Sequence, residues 1–451
     1  MQIIIVGCGK VGYAIAQQLN EEGHDITIID TNREKVEQTI STLDIQGVEG
    51  NGTTFNTLLE AGIKASDLLI AVTGKDEVNL LCCLIAKKAG NCNTIARVRN
   101  PEYVNETNYL REELGLSMVI NPELTCARGI SHLIEIPSAL DFTTFAKGRA
   151  NMIEISIPEK SVIDGMTVID FSKKINNKTL ICSIERGGEV IIPDGNTILC
   201  EKDKMYVIIP PSELHSVLHK IGIKTKPIKN VLIAGGSKVA YYLTKCLEEA
   251  HIQVKIIEKD FKNCEQLSER LPHTLVIHGD ATNRQLLLEE GIDNMDAFVS
   301  LTNMDEENML LSLFANKVSK AKIITKIDKI SFEEVINELP IGSIACPKNI
   351  TAKSIIQYVR GVQNSFGSNV ETLYRILDDK VEAIEFKVKQ SSKVTGKPLM
   401  DLNIKKNLLV CAIFRNGKII TPTGKDTIET GDHVLIITTN KGLADITDIL
   451  S

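Results

Sequence analysis

A glycine-rich turn near the amino terminus carries the clearest chemical signal in the chain. Gly7, Gly9 and Gly12 follow the apolar run 3–6 and open a helical pattern. In nucleotide-binding folds the first such glycine permits a tight turn, the second lets the backbone approach a pyrophosphate, and the third lets helix and strand pack closely. Asp30 ends the next apolar run, where a carboxylate can accept hydrogen bonds from ribose hydroxyls. The predicted cofactor-binding residues here are Gly7, Cys8, Gly9, Lys10, Val11, Gly12 and Asp30.

The type of nucleotide follows from the same residues. A helix that starts near Lys10 places free backbone N–H groups and the positive end of its dipole where phosphates would lie. The carboxylate of Asp30 would repel a 2′-phosphate, which favours NAD(H) or an adenosine nucleotide over NADP(H). We therefore predict NAD(H) as the cofactor, with ATP and ADP as open alternatives. A glycine turn with a purely structural role is the competing interpretation.

Further candidates follow the ends of later strands. Open α/β sheets bind ligands at the carboxyl ends of their strands, and a guanidinium offers a planar fork to phosphate. Arg97 and Arg99 flank Val98 at one such end, where a solvated position is the alternative for both. We interpret Asp76, Glu77 and Asn79 as the N-terminal cap of a helix, with a ligand role as the alternative. The additional predicted binding residues are Gly50, Asn51, Thr73, Gly74 and Arg97.

The whole pattern occurs twice in the chain. Gly7 and Gly235 lie 228 residues apart, as do Asp30 and Glu258, and later motifs keep almost the same spacing. Repeated agreement of this kind is the signature of a tandem duplication. The corresponding candidates in the second half are Gly235, Gly236, Ser237, Lys238, Val239, Glu258, Gly279, Asp280, Thr302 and Lys326.

The second half departs from the nucleotide-binding pattern at two positions. Ser237 stands where Gly9 would be, and Ala240 stands where Gly12 would be. Alanine is tolerated at the third position, whereas a side chain at the second crowds the approach to a pyrophosphate. We predict that any nucleotide site in the second half is weaker or differs in preference.

The alternation of strand-like and helical stretches predicts an α/β fold. Strands separated by helices of this length indicate doubly wound parallel sheets of the Rossmann type, and each is followed by a small α+β module. Residues 137–150 are predicted to be a linker, and the helical segments within 118–134 and 344–357 are predicted to pack on a neighbouring Rossmann domain. The predicted domains are 1–136, 137–222, 228–362 and 368–451.

Composition excludes several classes of protein. The net charge of −7, without a basic block or tryptophan, argues against nucleic acid as a partner. No apolar run approaches the roughly 18 residues that span a bilayer, so the chain is not expected to be a membrane transporter itself. The 11 cysteines are scattered without a CxxC pair, which is typical of reduced cytosolic thiols, and no metal site is predicted.

Two stretches that occur in both halves complete a known pattern. The sequence Gly-Asp-Ala-Thr at 279–282 corresponds to Gly-Asn-Gly-Thr at 50–53, and Thr-x-x-Asp-Glu-x-Asn occurs at 73–79 and 302–308. With the glycine turns and the small modules, they resemble the tandem RCK family, in which each unit is a KTN domain followed by a TrkA-C domain. The resemblance covers essentially the whole chain.

The resemblance implies a cytoplasmic NAD(H)-binding regulator at the inner face of the cell membrane. Members assemble as rings of eight Rossmann domains, which for a tandem chain would be a homotetramer. The implied partner is a membrane-embedded Trk-type potassium transporter subunit, whose opening the ring controls. The resemblance implies no catalytic residues and no enzymatic activity.

Two other functional classes compete with a regulator. An NAD-dependent oxidoreductase would need an acid or base beside the nicotinamide, and none of the histidines stands in a recognisable catalytic arrangement. A redox-sensing transcription regulator would need a helix-turn-helix with a basic face, and no segment predicts one. The eight histidines, none of which is predicted to be catalytic, are His24, His132, His215, His219, His251, His273, His278 and His433.

Overall fold

The computed structural model describes most of the chain. The described residues are 1–104, 106–136, 141–145, 150–175, 179–209, 213–222, 227–328, 336, 338–364, 370–377 and 380–451.

The described strands number 22. They are β1 Gln2–Val6, β2 Asp25–Asp30, β3 Gln46–Glu49, β4 Leu68–Ala71, β5 Asn93–Arg97, β6 Met118–Ile120, β7 Asp141–Phe145, β8 Ala150–Ser156, β9 Leu180–Arg186, β10 Glu189–Ile191, β11 Lys204–Ile209, β12 Asn230–Ala234, β13 Gln253–Glu258, β14 Leu275–His278, β15 Ala297–Ser300, β16 Lys322–Lys326, β17 Ser343–Ala345, β18 Val370–Ile376, β19 Val381–Lys387, β20 Leu408–Arg415, β21 Lys418–Ile420 and β22 His433–Thr438.

The described α-helices connect and flank these strands. They are α1 Lys10–Glu21, α2 Arg33–Thr42, α3 Phe55–Glu60, α4 Asp76–Gly90, α5 Pro101–Val104, α6 Thr107–Glu113, α7 Pro122–Glu135, α8 Val168–Lys174, α9 Leu214–Lys220, α10 Lys238–Glu249, α11 Phe261–Arg270, α12 Arg284–Glu289, α13 Asp305–Val318 and α14 Pro347–Asn364.

The chain forms two compact units, each built from both halves of the sequence. The first unit contains residues 1–131 and 228–356, and the second contains residues 132–227 and 357–451. Each half therefore contributes one sheet to each unit. The boundaries of the four predicted domains stay a prediction.

Both sheets of the first unit are parallel and have the same strand order. One sheet runs β3-β2-β1-β4-β5-β6 and the other β14-β13-β12-β15-β16-β17. This order is that of the doubly wound nucleotide-binding fold, in which ligands lie at the carboxyl ends of the central strands. The prediction of two tandem Rossmann-type sheets is confirmed.

Continuous apolar runs produce the central strands of these sheets. Residues 3–6 of β1 are at most 3% exposed, because β1 has neighbouring strands on both edges and helices on its faces. Helix α1 covers the sheet with Ile15 and Leu19, which are fully buried and four residues apart on one helical face. The packing of α1 on β1 fixes the position of the glycine turn between them.

The second unit contains two antiparallel sheets with matching topology. One runs β10-β9-β11-β8-β7, and the other, read from its opposite edge, runs β21-β20-β22-β19-β18. The rings of Phe145 and Tyr374 meet edge to face, with centroids 4.7 Å apart. The prediction of a small repeated module is confirmed.

A buried carboxylate has the same role in both modules. The carboxylate of Asp203 accepts hydrogen bonds from the Nε and Nη2 atoms of Arg186 and from the backbone N–H of Cys200. Asp432 accepts the equivalent bonds from Arg415 and from the backbone N–H of Glu429. The repeated turn before the last strand therefore has a structural role in both modules.

The linker predicted at 137–150 is wrong for six of its residues, because 141–145 form one strand and Ala150 begins the next. Residues 141–145 form β7, which pairs antiparallel with β8, and Phe145 is fully buried. Threonine and phenylalanine favour strands and make up four of these five residues, which outweighed the flanking proline and glycine that indicated a loop. Residues 137–140 and 146–149 of the same prediction lie outside the described residues.

The cysteine thiols are mostly buried. All 11 cysteines are free, and burial raises the pKa of Cys82 to about 12, so this thiol stays protonated. In the described part of the chain, no helix has the length and apolar character needed to cross a bilayer.

Candidate nucleotide-binding site

The glycine turn between β1 and α1 has the geometry that the sequence predicted. Gly7 has a φ of 111°, a conformation that favours glycine. A Cβ atom at Gly12 would lie 1.9 Å from the carbonyl oxygen of Gly7, so a side chain there would push the helix off the strand. Gly9 is different, because a Cβ atom there would meet nothing within 4 Å. The space where a Gly9 side chain would lie is open and can accept a ligand.

The N-terminus of α1 is open toward this space. Gly9 occupies the N-cap position, and no side chain caps the helix. The first backbone N–H groups of a helix have no partners within the helix. These groups and the helix dipole therefore provide a site for an anion beside Lys10 and Val11.

Asp30 joins the end of β2 to the glycine turn. Its carboxylate accepts hydrogen bonds from the backbone N–H of Cys8 at 2.7 Å and from that of Asn32 at 2.9 Å. A carboxylate has about four lone-pair positions, so Asp30 can still accept bonds from the hydroxyls of a ribose. Burial, assisted by Asp30, raises the pKa of Cys8 to about 12. The thiol in the turn is neutral and suits a packing role.

A cavity of about 1090 Å³ lies beside the turn and is lined by both Rossmann domains. Its volume is slightly above the usual range for pockets that enclose cofactors, roughly 300–1,000 Å³. The predicted residues that line it are Gly7, Gly9, Lys10, Val11, Asp30, Gly50, Asn51, Thr73, Gly74, Arg97, Gly236, Ser237, Lys238, Val239 and Lys326.

The remaining predicted residues are absent from the described lining. Cys8 and Gly12 lie behind the turn and are buried, and the others belong to the second half. These others are Gly235, Glu258, Gly279, Asp280 and Thr302.

Buried polar atoms beside the cavity lack hydrogen-bond partners among the described residues. Arg97 donates from Nη2 to Oε1 of Glu123 at 3.1 Å, but the Nε atoms of Arg97 and Arg99 and Oε2 of Glu123 make no hydrogen bond there. Burial lowers the pKa of Arg97, although Glu123 opposes this effect. Unsatisfied buried donors and acceptors of this kind fit a site that receives a polar ligand.

The Thr-x-x-Asp-Glu-x-Asn stretch holds the strand ends that surround the cavity. Oδ1 of Asn79 accepts bonds from the backbone N–H and hydroxyl of Thr73, and its Nδ2 donates to the carbonyl oxygen of Arg97. Asp76 accepts from the backbone N–H of Arg99 and of Asn100. The interpretation as a helix cap is correct for the position of Asp76 in the first turn of α4 and wrong for Asn79. The hydrogen bonds of Asn79 instead connect the ends of β4 and β5.

In the second half, a side chain caps the helix N-terminus that the first half leaves uncapped. Oγ of Ser237 caps α10 by accepting from the backbone N–H of Ala240 at 3.3 Å. Glu258 accepts from the backbone N–H of Gly236 at 2.7 Å, as Asp30 does from that of Cys8, and Asn263 donates to the carbonyl oxygen of Gly236. Fewer backbone groups are therefore available to a pyrophosphate at this turn.

Two charged residues of the second half have protein partners. Nζ of Lys259 lies 2.6 Å from a carboxylate oxygen of Asp280. The hydrogen bonds from Lys259 and from Thr282 lower the pKa of Asp280 to about 2. Lys326 donates to the carbonyl oxygen of Thr302 and lies 3.0 Å from Asp328. Lys326 and Asp328 both line the cavity, so the second domain contributes charge of both signs to it.

Hydrogen bonds join the two Rossmann domains at the edge of the cavity. Oη of Tyr242 donates to the carbonyl oxygen of Arg99 at 2.9 Å and accepts from Nδ2 of Asn121 at 3.1 Å. Helix α7, predicted to pack on a neighbouring Rossmann domain, has Cys126 buried beside Cys346 and Lys326 of the second domain. At Cys126, the neighbouring domain lies in the same chain.

Comparisons with known proteins identify the family. Residues 3–122 and 231–347 match the TrkA-N domain, and residues 152–222 and 383–451 match the TrkA-C domain. The chain is 34% identical to the Trk system potassium uptake protein TrkA homolog of Archaeoglobus fulgidus, over 97% of each chain. The chain belongs to the TrkA family. It is also 32% identical to the Trk system potassium uptake protein TrkA of Halomonas elongata, over 98% of this chain and 96% of that protein.

Solved structures support the fold of this TrkA family member. The GsuK channel bound to NAD has a TM-score of 0.65 and 17% identity, over 98% of this chain and 77% of that one. The RCK domain of GsuK has a TM-score of 0.64 and 18% identity, over 98% of this chain and 92% of that one. At this level of identity, the likeness shows that the TrkA-N and TrkA-C repeats adopt the RCK fold.

Sequence reasoning missed several residues of the cavity in this TrkA family member. Glu123 and Asp328 line it with the predicted arginine and lysine, and Lys35 and Asn263 approach it from the helices after β2 and β13. Lys35 lies in the first turn of α2, the helix that follows Asp30, and could have been found from that position. The others depend on contacts between distant parts of the chain. None of the described residues that line the cavity is a histidine.

Proposed function

We propose that the chain is a regulatory subunit that binds NAD(H) in its first Rossmann domain and controls a membrane-embedded potassium transporter of the Trk type. The relatives are named for potassium uptake, which supports the transport process. The cavity beside the open N-terminus of α1 supports the nucleotide, because it combines an anion site with the carboxylate of Asp30.

Each part of the dinucleotide has a complementary group in the proposed site. The pyrophosphate lies against the backbone N–H groups of Lys10 and Val11, and a ribose donates hydroxyls to Asp30. The positive charge of Arg97 or of Lys326 attracts the second phosphate of the pyrophosphate. The same groups also suit ADP and ATP, so direct competition between nucleotides is needed to rank them.

Regulation requires that the nucleotide distinguishes two arrangements of the protein. A ligand shifts an equilibrium only through its different affinities for the two states. Residues of both Rossmann domains line the proposed cavity, so a bound nucleotide can favour one spacing of the two domains. We propose that this spacing is transmitted through a homotetrameric ring to the membrane subunit at the cytoplasmic face of the membrane.

Calorimetry and transport together test the proposal. Purified protein is titrated with NADH, NAD, ADP and ATP, and potassium uptake is measured in cells that lack their own regulatory subunit. We expect saturable NAD(H) binding, uptake that depends on the chain, and a mass in light scattering of about four times 49.6 kDa. Absorbance of the reduced nicotinamide should stay constant with candidate 2-hydroxy and 2-keto acids. Turnover would favour an oxidoreductase, and absence of nucleotide binding would contradict the proposal.

A further inference from the structure

A histidine and two glutamates meet on one face of the second antiparallel sheet. Glu371 lies on β18, Glu385 on the adjacent β19, and His433 at the start of β22. One donor atom from each side chain lies within 4.8 Å of the other two. Within the described part of the chain, no other His, Cys, Asp and Glu group of three converges this closely.

His433 is central to this group. Its Nδ1 atom contacts Oε2 of Glu371 and lies 3.5 Å from Oε1 of Glu385. The atom is buried, yet none of its contacts in the described residues has hydrogen-bond geometry. A nitrogen that faces two carboxylates in this way is arranged to share a cation with them.

The equivalent position in the first module holds a cation of the protein itself. Lys204 begins β11 as His433 begins β22, and its Nζ lies 3.9 Å from Glu154 and 3.4 Å from Glu185. In each module the glutamate, Glu154 or Glu385, lies two residues before the residue that pairs with the lysine or the histidine on the neighbouring strand. The second module therefore has an imidazole where the first has an ammonium group, and both modules keep a carboxylate beside it.

We propose that Glu371, Glu385 and His433 bind a divalent transition-metal ion of the Zn²⁺ type. One imidazole nitrogen and two carboxylate oxygens are a donor set of zinc sites, whereas Ca²⁺ and Mg²⁺ prefer oxygen alone. Nδ1 of His433 and Oε2 of Glu371 are in direct contact and must separate to admit an ion, which the 42% exposed side chain of Glu371 can do by rotating. Water completes the four-coordinate shell. The ion joins three adjacent strands of the module.

Zinc binding by the full chain tests this site without reference to nucleotide or potassium. Zn²⁺ affinity is measured by competition with a chromophoric chelator, and Co²⁺ is added to read coordination from its visible spectrum. Because even an outer partner of a metal ligand contributes about 10–100-fold to affinity, Glu371→Gln and His433→Gln should each weaken one Zn²⁺ site by at least about tenfold. The exposed His219 is the matched control, and His219→Gln should bind as the parent does.

Thermal unfolding provides a second measurement. Zn²⁺ should raise the Tm of the parent and of His219→Gln, because the folded state binds the ion, and should leave that of Glu371→Gln unchanged. Circular dichroism of the metal-free variants confirms that each is folded. Equal Zn²⁺ affinity in the parent, Glu371→Gln and His433→Gln, or no Zn²⁺ binding by the parent, would overturn the proposal.

Discussion

The hydroxyl of Ser237 accepts a hydrogen bond from the backbone N–H of Ala240 at 3.3 Å. At the corresponding turn of the first half, Gly9 leaves the start of α1 without a side-chain cap. The two turns share a backbone plan and differ in whether the helix N-terminus is already satisfied. This difference is the structural basis for expecting unequal nucleotide sites.

Substituting each of these two residues by the other should shift the NADH affinity of its own site toward that of the other site. Gly9→Ser should weaken NADH binding by roughly tenfold or more, because a cap bond is worth about 1 kcal/mol and the side chain also enters the space of the pyrophosphate. Ser237→Gly should leave the first site intact and strengthen or preserve any second one. Isothermal titration of both variants measures the effect, and a Gly9→Ser protein with parental affinity would contradict it.

Breaking the buried ion pair of the second module should destabilise it. Asp432 is 1% exposed, and Arg415→Ala removes its charged partner. The expected loss is about 2–4 kcal/mol, at the lower end for a buried pair because Arg415 is partly exposed. Arg33→Ala is the control, since Arg33 and Glu37 form an exposed pair whose removal should cost much less stability. Tm values of the two variants should differ clearly, and equal values would contradict this prediction.

A partly buried lysine should make stability depend on alkaline pH. Burial lowers the pKa of Lys322 from 10.5 to about 8. Between these values the unfolded chain binds more protons than the folded chain, so this group adds stability as the pH rises. The gain should be on the order of 1–3 kcal/mol between about pH 8 and pH 10.5.

Comparing two lysine variants isolates this contribution. Lys322→Met should remove the gain, so the Tm of the parent should rise relative to that of the variant over this pH range. Lys320 is exposed, and Lys320→Met should follow the parent. A Tm difference between parent and Lys322→Met that does not change with pH would show that the ammonium is not desolvated.

Tyr242 should couple the two Rossmann domains. Burial raises the pKa of Tyr242 to about 12, so its hydroxyl remains a donor to the carbonyl oxygen of Arg99. Tyr242→Phe removes this bond and the one from Asn121, at a cost of about 1–3 kcal/mol. NADH affinity should change little, whereas the response of potassium uptake to NADH should weaken. Tyr241→Phe is the control, and identical transport responses in both variants would exclude this coupling role.

The sequence was sufficient for the features that depend on local pattern. The spacing of Gly7, Gly12 and Asp30 predicted the turn and its carboxylate, because a sharp turn and close helix packing require particular residues at fixed positions. Apolar runs similarly predicted the central parallel strands. The strand at 141–145 was missed because it is short and lies between residues that favour loops.

The remaining features depend on contacts between distant parts of the chain. Glu123 pairs with Arg97 only because α7 returns to the end of β5, and no spacing in the sequence predicts this pair. The joint lining of one cavity by Gly9 and Ser237 depends on how the two Rossmann domains pack. The role of Asn79 as a tie between strands was hidden for the same reason.

Titration of NADH into the parent protein and into Asp30→Ala tests whether the first Rossmann domain binds the nucleotide. We expect one tight site per chain in the parent. Loss of a charge-assisted contact to ribose, worth about 1.5–3 kcal/mol, should weaken binding by roughly 10–150-fold in Asp30→Ala. Asp25→Ala, at the exposed start of β2, is the matched control and should bind as the parent does. Parental NADH affinity in Asp30→Ala would contradict the assignment of the nucleotide to the first Rossmann domain.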